Sequence, residues 1–208
     1  MDQPDGLELA ISIYARYSLG TVTDAARGVF MRALTSDCDI DDDLIGEICS
    51  RMVDYIEPAD LVRCSSRAID VYLRLLTNQG RLRRRDEAIE LLLSAGCNAD
   101  RFLLCMKYLA TGGGERLSVF GHTLIILAST IAQLEPARTE ELQEVLLQFP
   151  GFLEYLAQNI QVYARRICAP DGVGRFIQGT IDLSDSSARL GLVARVVEYA
   201  RHHGDPLP

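Results

Sequence analysis

Apolar residues return at intervals of three and four along nearly the whole chain, the spacing of one face of an α-helix. Leu7, Ile11, Tyr14, Ala15 and Ser18 trace a first such face. Ala26, Val29, Phe30, Ala33 and Leu34 trace a second, with Thr21 or Thr23 placed to cap it. An acidic turn over Asp37–Asp43 then caps a third helix carrying Leu44, Ile45, Ile48, Met52, Val53 and Ile56. Pro58 suits a first helical turn, and the pattern predicts helix from Ala59 to Leu76. The stretch Asn78–Arg85, NQGRLRRR, breaks the periodicity. Helices follow over Glu87–Ala95 and Ala99–Ala110, separated by Gly96. Downstream, the spacing predicts helices over Glu140–Leu147, from Phe152 to about Ile167, over Phe176–Ile181 and over Ala188–His203. The segment CAPDGVG reads as a turn from its Pro and Gly content. No segment alternates as a strand does, and no fixed-period repeat is visible.

One stretch departs from this regular amphipathic pattern. Gly112–Leu134, GGGERLSVFGHTLIILASTIAQL, is apolar over far more residues than a surface helix needs, and Arg116 stands at its entrance. A helix apolar all round is buried in its domain or spans a membrane. Leu117–Leu134 has only the minimal spanning length, and Ser118, His122, Thr123, Ser129, Thr130 and Gln133 suit a bilayer poorly. The expectation is therefore an all-α fold. It is a single-domain helical bundle over 1–208, with a central buried helix at about 114–134 and amphipathic helices around it. Flexible ends are expected at about 1–6 and 203–208.

Composition narrows the function more than it defines it. The chain has 208 residues, 48% of them hydrophobic, enough for a real core, and a formal net charge of -8. That charge argues against nucleic-acid or anionic-lipid binding, which need a basic face. The six cysteines form no CxxC pair and fall in or beside helical patterns, as buried free thiols in a reducing compartment do. The start, MDQPDG, is too polar for a signal peptide. An intracellular, cytoplasmic location is expected.

Candidate chemistry is sparse. Asp37, Asp39 and Asp41 imitate the opening of a calcium loop, but Asp42 and Ile48 occupy the places of its glycine and bidentate glutamate. Arg83, Arg84 and Arg85 are followed at once by Asp86, Glu87 and Glu90, so a solvated helix start is favoured over a phosphate site. The three histidines lack metal spacing, and the GGG at Gly112 is no P-loop because no GK[ST] follows. No catalytic residue, cofactor or metal ligand is assigned.

The glycine-led helix carries a resemblance. Gly113, Gly114, Glu115 and Arg116, followed by Leu117, Ser118, Val119, Phe120 and Gly121, resemble the first homology motif of the Bcl-2 family of apoptosis regulators, Asn-Trp-Gly-Arg and an apolar helix. Pro170, Asp171, Gly172 and Val173, then Phe176 and Ile177, look like a degenerate second motif in the right order along the chain. Both tryptophans are missing, Glu115 stands where the family has glycine, the two motifs lie further apart than usual, and no third motif is clear. Such erosion is most like viral members. The resemblance implies an apoptosis regulator, on the inhibitory side, that takes the amphipathic helix of pro-apoptotic Bcl-2 family proteins into an apolar groove. It implies a wall of Phe102, Met106, Tyr108, Leu109, Leu117 and Phe120. Arg116 would pair with a ligand aspartate, and Gly114 and Glu115 would flank it. Gly172 and Phe176 would close the groove. It further implies a host-cell location at the mitochondrial outer membrane, with no anchor in this chain. A second copy could also fill such a groove, giving a homodimer. The alternative is a helical adaptor or scaffold of unrelated fold that mediates protein–protein interaction.

Overall fold

The computed structural model describes residues 24–35, 42–111, 115–168 and 171–203, with the side chains of 24–26, Pro58 and 115–119 left aside. The helix expected over Leu7–Ser18, the acidic turn up to residue 41 and Gly112–Gly114 lie outside the described residues. Every regular element among the described residues is helical, as an all-α bundle requires. Packing divides the chain into two compact units, Met1–Gly96 and Cys97–Pro208.

The first unit contains α1 (Asp24–Thr35), α2 (Asp42–Met52), α3 (Pro58–Leu61), α4 (Ser66–Asn78) and α5 (Leu82–Ser94). α4 packs against α2 and α5, and α3 against α5. Its core is fully buried at Phe30, Ile48, Met52, Ile69, Leu73, Leu76, Ile89 and Leu92. Each such side chain contributes roughly 1.5–3 kcal/mol relative to an exposed one. The continuous helix expected from Ala59 to Leu76 is instead two. Ser65 is extended, and its hydroxyl accepts from the Ala68 amide at 3.2 Å, so it starts α4 as an N-cap. The basic run also differs from expectation. Gly80, at φ 68°, ends α4, and Leu82–Arg85 already form the first turn of α5.

The second unit contains α6 (Ala99–Ala110), α7 (Glu115–Leu134), a 3-10 turn (Pro136–Arg138), α8 (Thr139–Leu147), α9 (Phe152–Gln158), α10 (Ile160–Cys168), α11 (Gly172–Leu183) and α12 (Ser186–His203). α7 is its centre, packed by α6, α8, α9 and α11, while α12 lies on α9 and α10. Asn159 separates α9 from α10 where the sequence pattern predicts one helix, and its amide donates to the Tyr155 carbonyl at 2.9 Å. The Asp-Gly of the expected turn is the start of α11. The Asp171 carboxylate accepts from the Gly174 amide at 2.7 Å, an N-cap. A Cβ on Gly174 would stand 1.8 Å from the Arg166 carbonyl, so α10 and α11 meet there only because the residue is glycine.

Candidate functional site

α7 is buried on one wide face and open on the other. Leu124, Ile125, Ala128, Ser129, Ile131 and Ala132 are buried against the surrounding helices. His122, Thr123, Thr130, Gln133 and Leu134 are exposed, and Phe120, Ile126 and Leu127 are half-buried. The opposite polarity of adjacent residues follows from the helical period, since neighbours in sequence point about 100° apart. Within the open face, Phe120, Thr123, Leu127, Thr130 and Leu134 repeat at three and four, forming one continuous strip. Leu134 at its end is 76% exposed. The Thr130 hydroxyl donates to the Ile126 carbonyl at 2.8 Å, so that polar group is already satisfied within the helix.

The first turns of α7 are held by close approach to α9 and α10. A Cβ on Gly121 would lie 2.6 Å from the Tyr155 ring, so the ring seats against bare backbone. Beside it, His122 Nδ1 and the Tyr163 hydroxyl form a hydrogen bond at 3.1 Å. Tyr163 is buried, and burial followed by the adjoining Tyr155 phenol pushes its hydroxyl pKa up, keeping it neutral. His122 is thus an exposed ring tethered by a buried tyrosine. Tyr155 and Tyr163 were not singled out in the sequence, because their meeting point is set by the α9–α10 break.

The predicted groove residues separate into distinct environments. Phe102, Met106 and Leu109 are fully buried and Tyr108 nearly so, which places them in the core and not on an open wall. The cause is the packing of α6 against both α7 and α8. Lys107 Nζ lies 5.3 Å from the Tyr108 ring centroid, a cation–π contact at the edge of that core. Phe176 is also buried, and Gly172 lies against Gln133, which a Cβ would approach to 2.3 Å. Phe120 alone among the described wall residues reaches the open strip. Glu115, Arg116 and Leu117 belong to α7, but their side chains, like Gly114 as a whole, lie outside the described residues.

A concave feature belongs to the first unit. Gly80, Arg81, Leu82, Arg83, Arg84 and Glu87 line an open cleft of about 650 Å³. Its charges are matched internally. Arg81 and Arg84 both donate to Asp54, at 2.6 and 3.1 Å, and Arg83 donates to Glu87 at 3.0 Å. The Arg81 hydrogen bond, with the charges of both guanidiniums, holds the Asp54 carboxyl below its ordinary range. Arg85 was expected in a solvated helix start, but it is buried. Its Nε lies 3.2 Å from Asp86 and its Nη1 3.4 Å from Thr77.

Cys49, Cys64, Cys97, Cys105 and Cys168 are free. Burial pushes the thiols of Cys49 and Cys105 up to about 12 and that of Cys97 to about 11, which makes them inert. Among the described residues no cluster of His, Cys, Asp and Glu could hold a metal ion, and no helix is long and apolar enough to cross a membrane. Compared with known protein families, with curated proteins and with solved structures, the chain matches none.

Proposed function

We propose that this protein is a helix-binding apoptosis regulator of the Bcl-2 type, acting by sequestration and without catalysis. In this reading the amphipathic helix of a pro-apoptotic partner lies along the open face of α7. The observation that carries the reading is the strip Phe120–Thr123–Leu127–Thr130–Leu134, left open on the helix that bears the family-like motif. Such a strip suits helix-in-groove recognition, in which a partner's apolar residues repeat at the same intervals. Because Phe102, Met106 and Leu109 are committed to the core, the partner's wall is the strip itself, with Phe120 as its aromatic anchor.

Arg116 stands one helical turn before Phe120, at the end of the strip. Its role is to pair with an aspartate of the partner helix, a charge-assisted bond worth roughly 1.5–3 kcal/mol. Glu115 favours partners that carry a basic residue beside that aspartate. Through this capture the protein restrains cell death, in the cytoplasm and at the mitochondrial surface of a host cell.

The test is a calorimetric titration of peptides from pro-apoptotic partners against the whole chain. Binding is expected for a subset of peptides, weakened at least several-fold by Arg116→Ala with the melting temperature unchanged. Silence across the panel removes the function, and unchanged affinity in the variant removes Arg116 from the site.

A further inference from the structure

The chain carries its positive charge almost entirely as arginine. Of its 21 lysine and arginine side chains, Lys107 is the single lysine. A guanidinium is needed where its planar fork meets two partners at once, or where the cation is buried. Arg138 is such a case, donating to Asp100 at 2.8 Å and to Glu141 at 2.6 Å. Arg84 is another, donating to Asp54 and to the Ile56 carbonyl, each at 3.1 Å. The buried Arg85 is a third.

Elsewhere the structure makes no such demand. Arg51 meets Glu47 through one nitrogen at 3.0 Å, one helical turn apart, a pairing that lysine makes equally well. Arg83 meets Glu87 through one nitrogen, with its side chain 93% exposed. Arg74, Arg175 and Arg195 are exposed on helix surfaces. At such sites an ammonium and a guanidinium supply the same water-screened charge.

What arginine lacks is a nucleophile. A lysine amine that loses its proton attacks an acyl carbonyl, whereas a guanidinium stays protonated at any physiological pH. We propose that this chain is built to resist conjugation of ubiquitin-type protein modifiers, and that Lys107 is the one side chain on which such a conjugate can form. In that transfer the neutral Nζ attacks the carbonyl of the modifier's C-terminal thioester. The C–N isopeptide bond forms as the C–S bond breaks, and the departing thiolate takes up the proton that the nitrogen releases. Lys107 is itself a poor acceptor. It is exposed on α6, but its Nζ lies 5.3 Å from the Tyr108 ring centroid, and the negative ring face favours the protonated amine. Tyr108 is nearly buried, which holds the ring in place.

The consequence is persistence. A protein that acts by sequestration works one to one, so its effect scales with its abundance. The inference needs a cell that makes ubiquitin-type conjugates, the setting that the proposed function also assumes, and no particular binding partner.

Pulse–chase of the full chain in cultured eukaryotic cells, with and without a proteasome inhibitor, tests it. The comparison is with a triple variant, Arg51→Lys, Arg83→Lys and Arg195→Lys, which keeps every charge. The wild-type chain should decay slowly and be indifferent to the inhibitor. The variant should decay several-fold faster, regain the wild-type lifetime with the inhibitor, and carry modifier remnants on its new lysines in mass spectrometry. Lys107→Arg, which removes the last side-chain amine, should leave the lifetime unchanged. Thermal melts by circular dichroism check that the triple variant is as stable as the wild type. If it is not, Arg83→Lys alone decides, since that side chain is almost wholly in water. A variant that decays like the wild type, without conjugates, overturns the proposal and leaves the arginine excess as composition alone. A wild-type chain cleared through conjugates on Lys107 overturns it equally. A chain that binds the peptide panel but whose turnover ignores new lysines loses this inference and keeps the proposed function. A long-lived chain that gains conjugates with its new lysines but ignores every peptide does the reverse.

Discussion

The arginine-lined cleft of the first unit and the open strip of α7 invite opposite first impressions. The cleft is concave and highly charged, yet Arg81, Arg83 and Arg84 are each engaged by Asp54 or Glu87 at hydrogen-bonding distance. The strip is uncharged and lacks any acid–base constellation, yet Leu134 remains 76% exposed and Leu127 half-buried on a helix whose opposite face forms a core. Charge density is thus a poor guide here, because surface ion pairs neutralise one another at little net gain. An apolar strip has no such internal partner, and only another surface can remove it from water. The proposed recognition, through shape and burial, therefore uses the strip in the second unit and not the cleft.

That contrast can be broken at several points. Among the largest effects is the one expected at the α10–α11 contact that supports α7's surroundings. Gly174→Ala puts a methyl into the Arg166 carbonyl, backbone that cannot swing aside, and should cost about 3 kcal/mol, read as a lowered melting temperature. Next comes the pair of neighbours that define the two faces of α7. Leu124→Ala should cost about 2–5 kcal/mol in denaturant unfolding, because its side chain is fully buried. Thr123→Ala should change stability by less than about 0.5 kcal/mol, as surface positions do. Equal losses at both sites would erase the distinction between the faces.

A smaller effect is expected from the buried thiols. Cys49 and Cys105 stay protonated in the folded chain up to about pH 12, while the unfolded chain ionises them from near the ordinary thiol value of 9.0. The folded state then binds more protons, so stability is full below about pH 9 and falls as pH rises towards 12. Unfolding midpoints at pH 8 and pH 10 check the sign, and thiol reagents should label these two sites only on unfolding. The smallest effect belongs to the cleft. Its Asp54 carboxyl is held below the ordinary range, so its stabilisation is present above the unfolded carboxyl pKa and is lost as pH falls through the folded value. Asp54→Asn should remove that acid-side slope and cost no more than about 1 kcal/mol at neutral pH, the usual ceiling for exposed pairs. A larger loss would mean that the cleft, and not the strip, is the more strongly organised region.

Helical periodicity made much of the fold legible. The second apolar face, the helix over Ala99–Ala110, the long helix and the closing helix all appear close to their expected limits. The errors concentrate at breaks. A continuous apolar spacing runs through Ser65 and Asn159, where one extended or turned residue divides the helix without disturbing the pattern. The arginine run looked like loop because charge masked a helix start that depends on Gly80 adopting a positive φ. For the expected wall, the sequence pattern left the environment of α6 open. Phe102, Met106 and Leu109 have the composition of either a groove or a core, and α6 packing against α7 and α8 assigns them to the core.

By itself, then, the sequence determined that this chain is helical and acidic and carries one long apolar helix, because helix period and residue polarity are local properties. Which side of that helix is open was decided only by tertiary structure. Leu124 and Leu134 are the same residue type on the same helix, yet packing by the neighbouring helices buries the first completely and leaves the second 76% exposed. Likewise, no local property of Gly174 or Gly121 foretells that an Arg166 carbonyl or a Tyr155 ring will rest where a Cβ would be. Burial is a relation between distant segments, and periodicity alone specifies which residues share a face but not which face is covered.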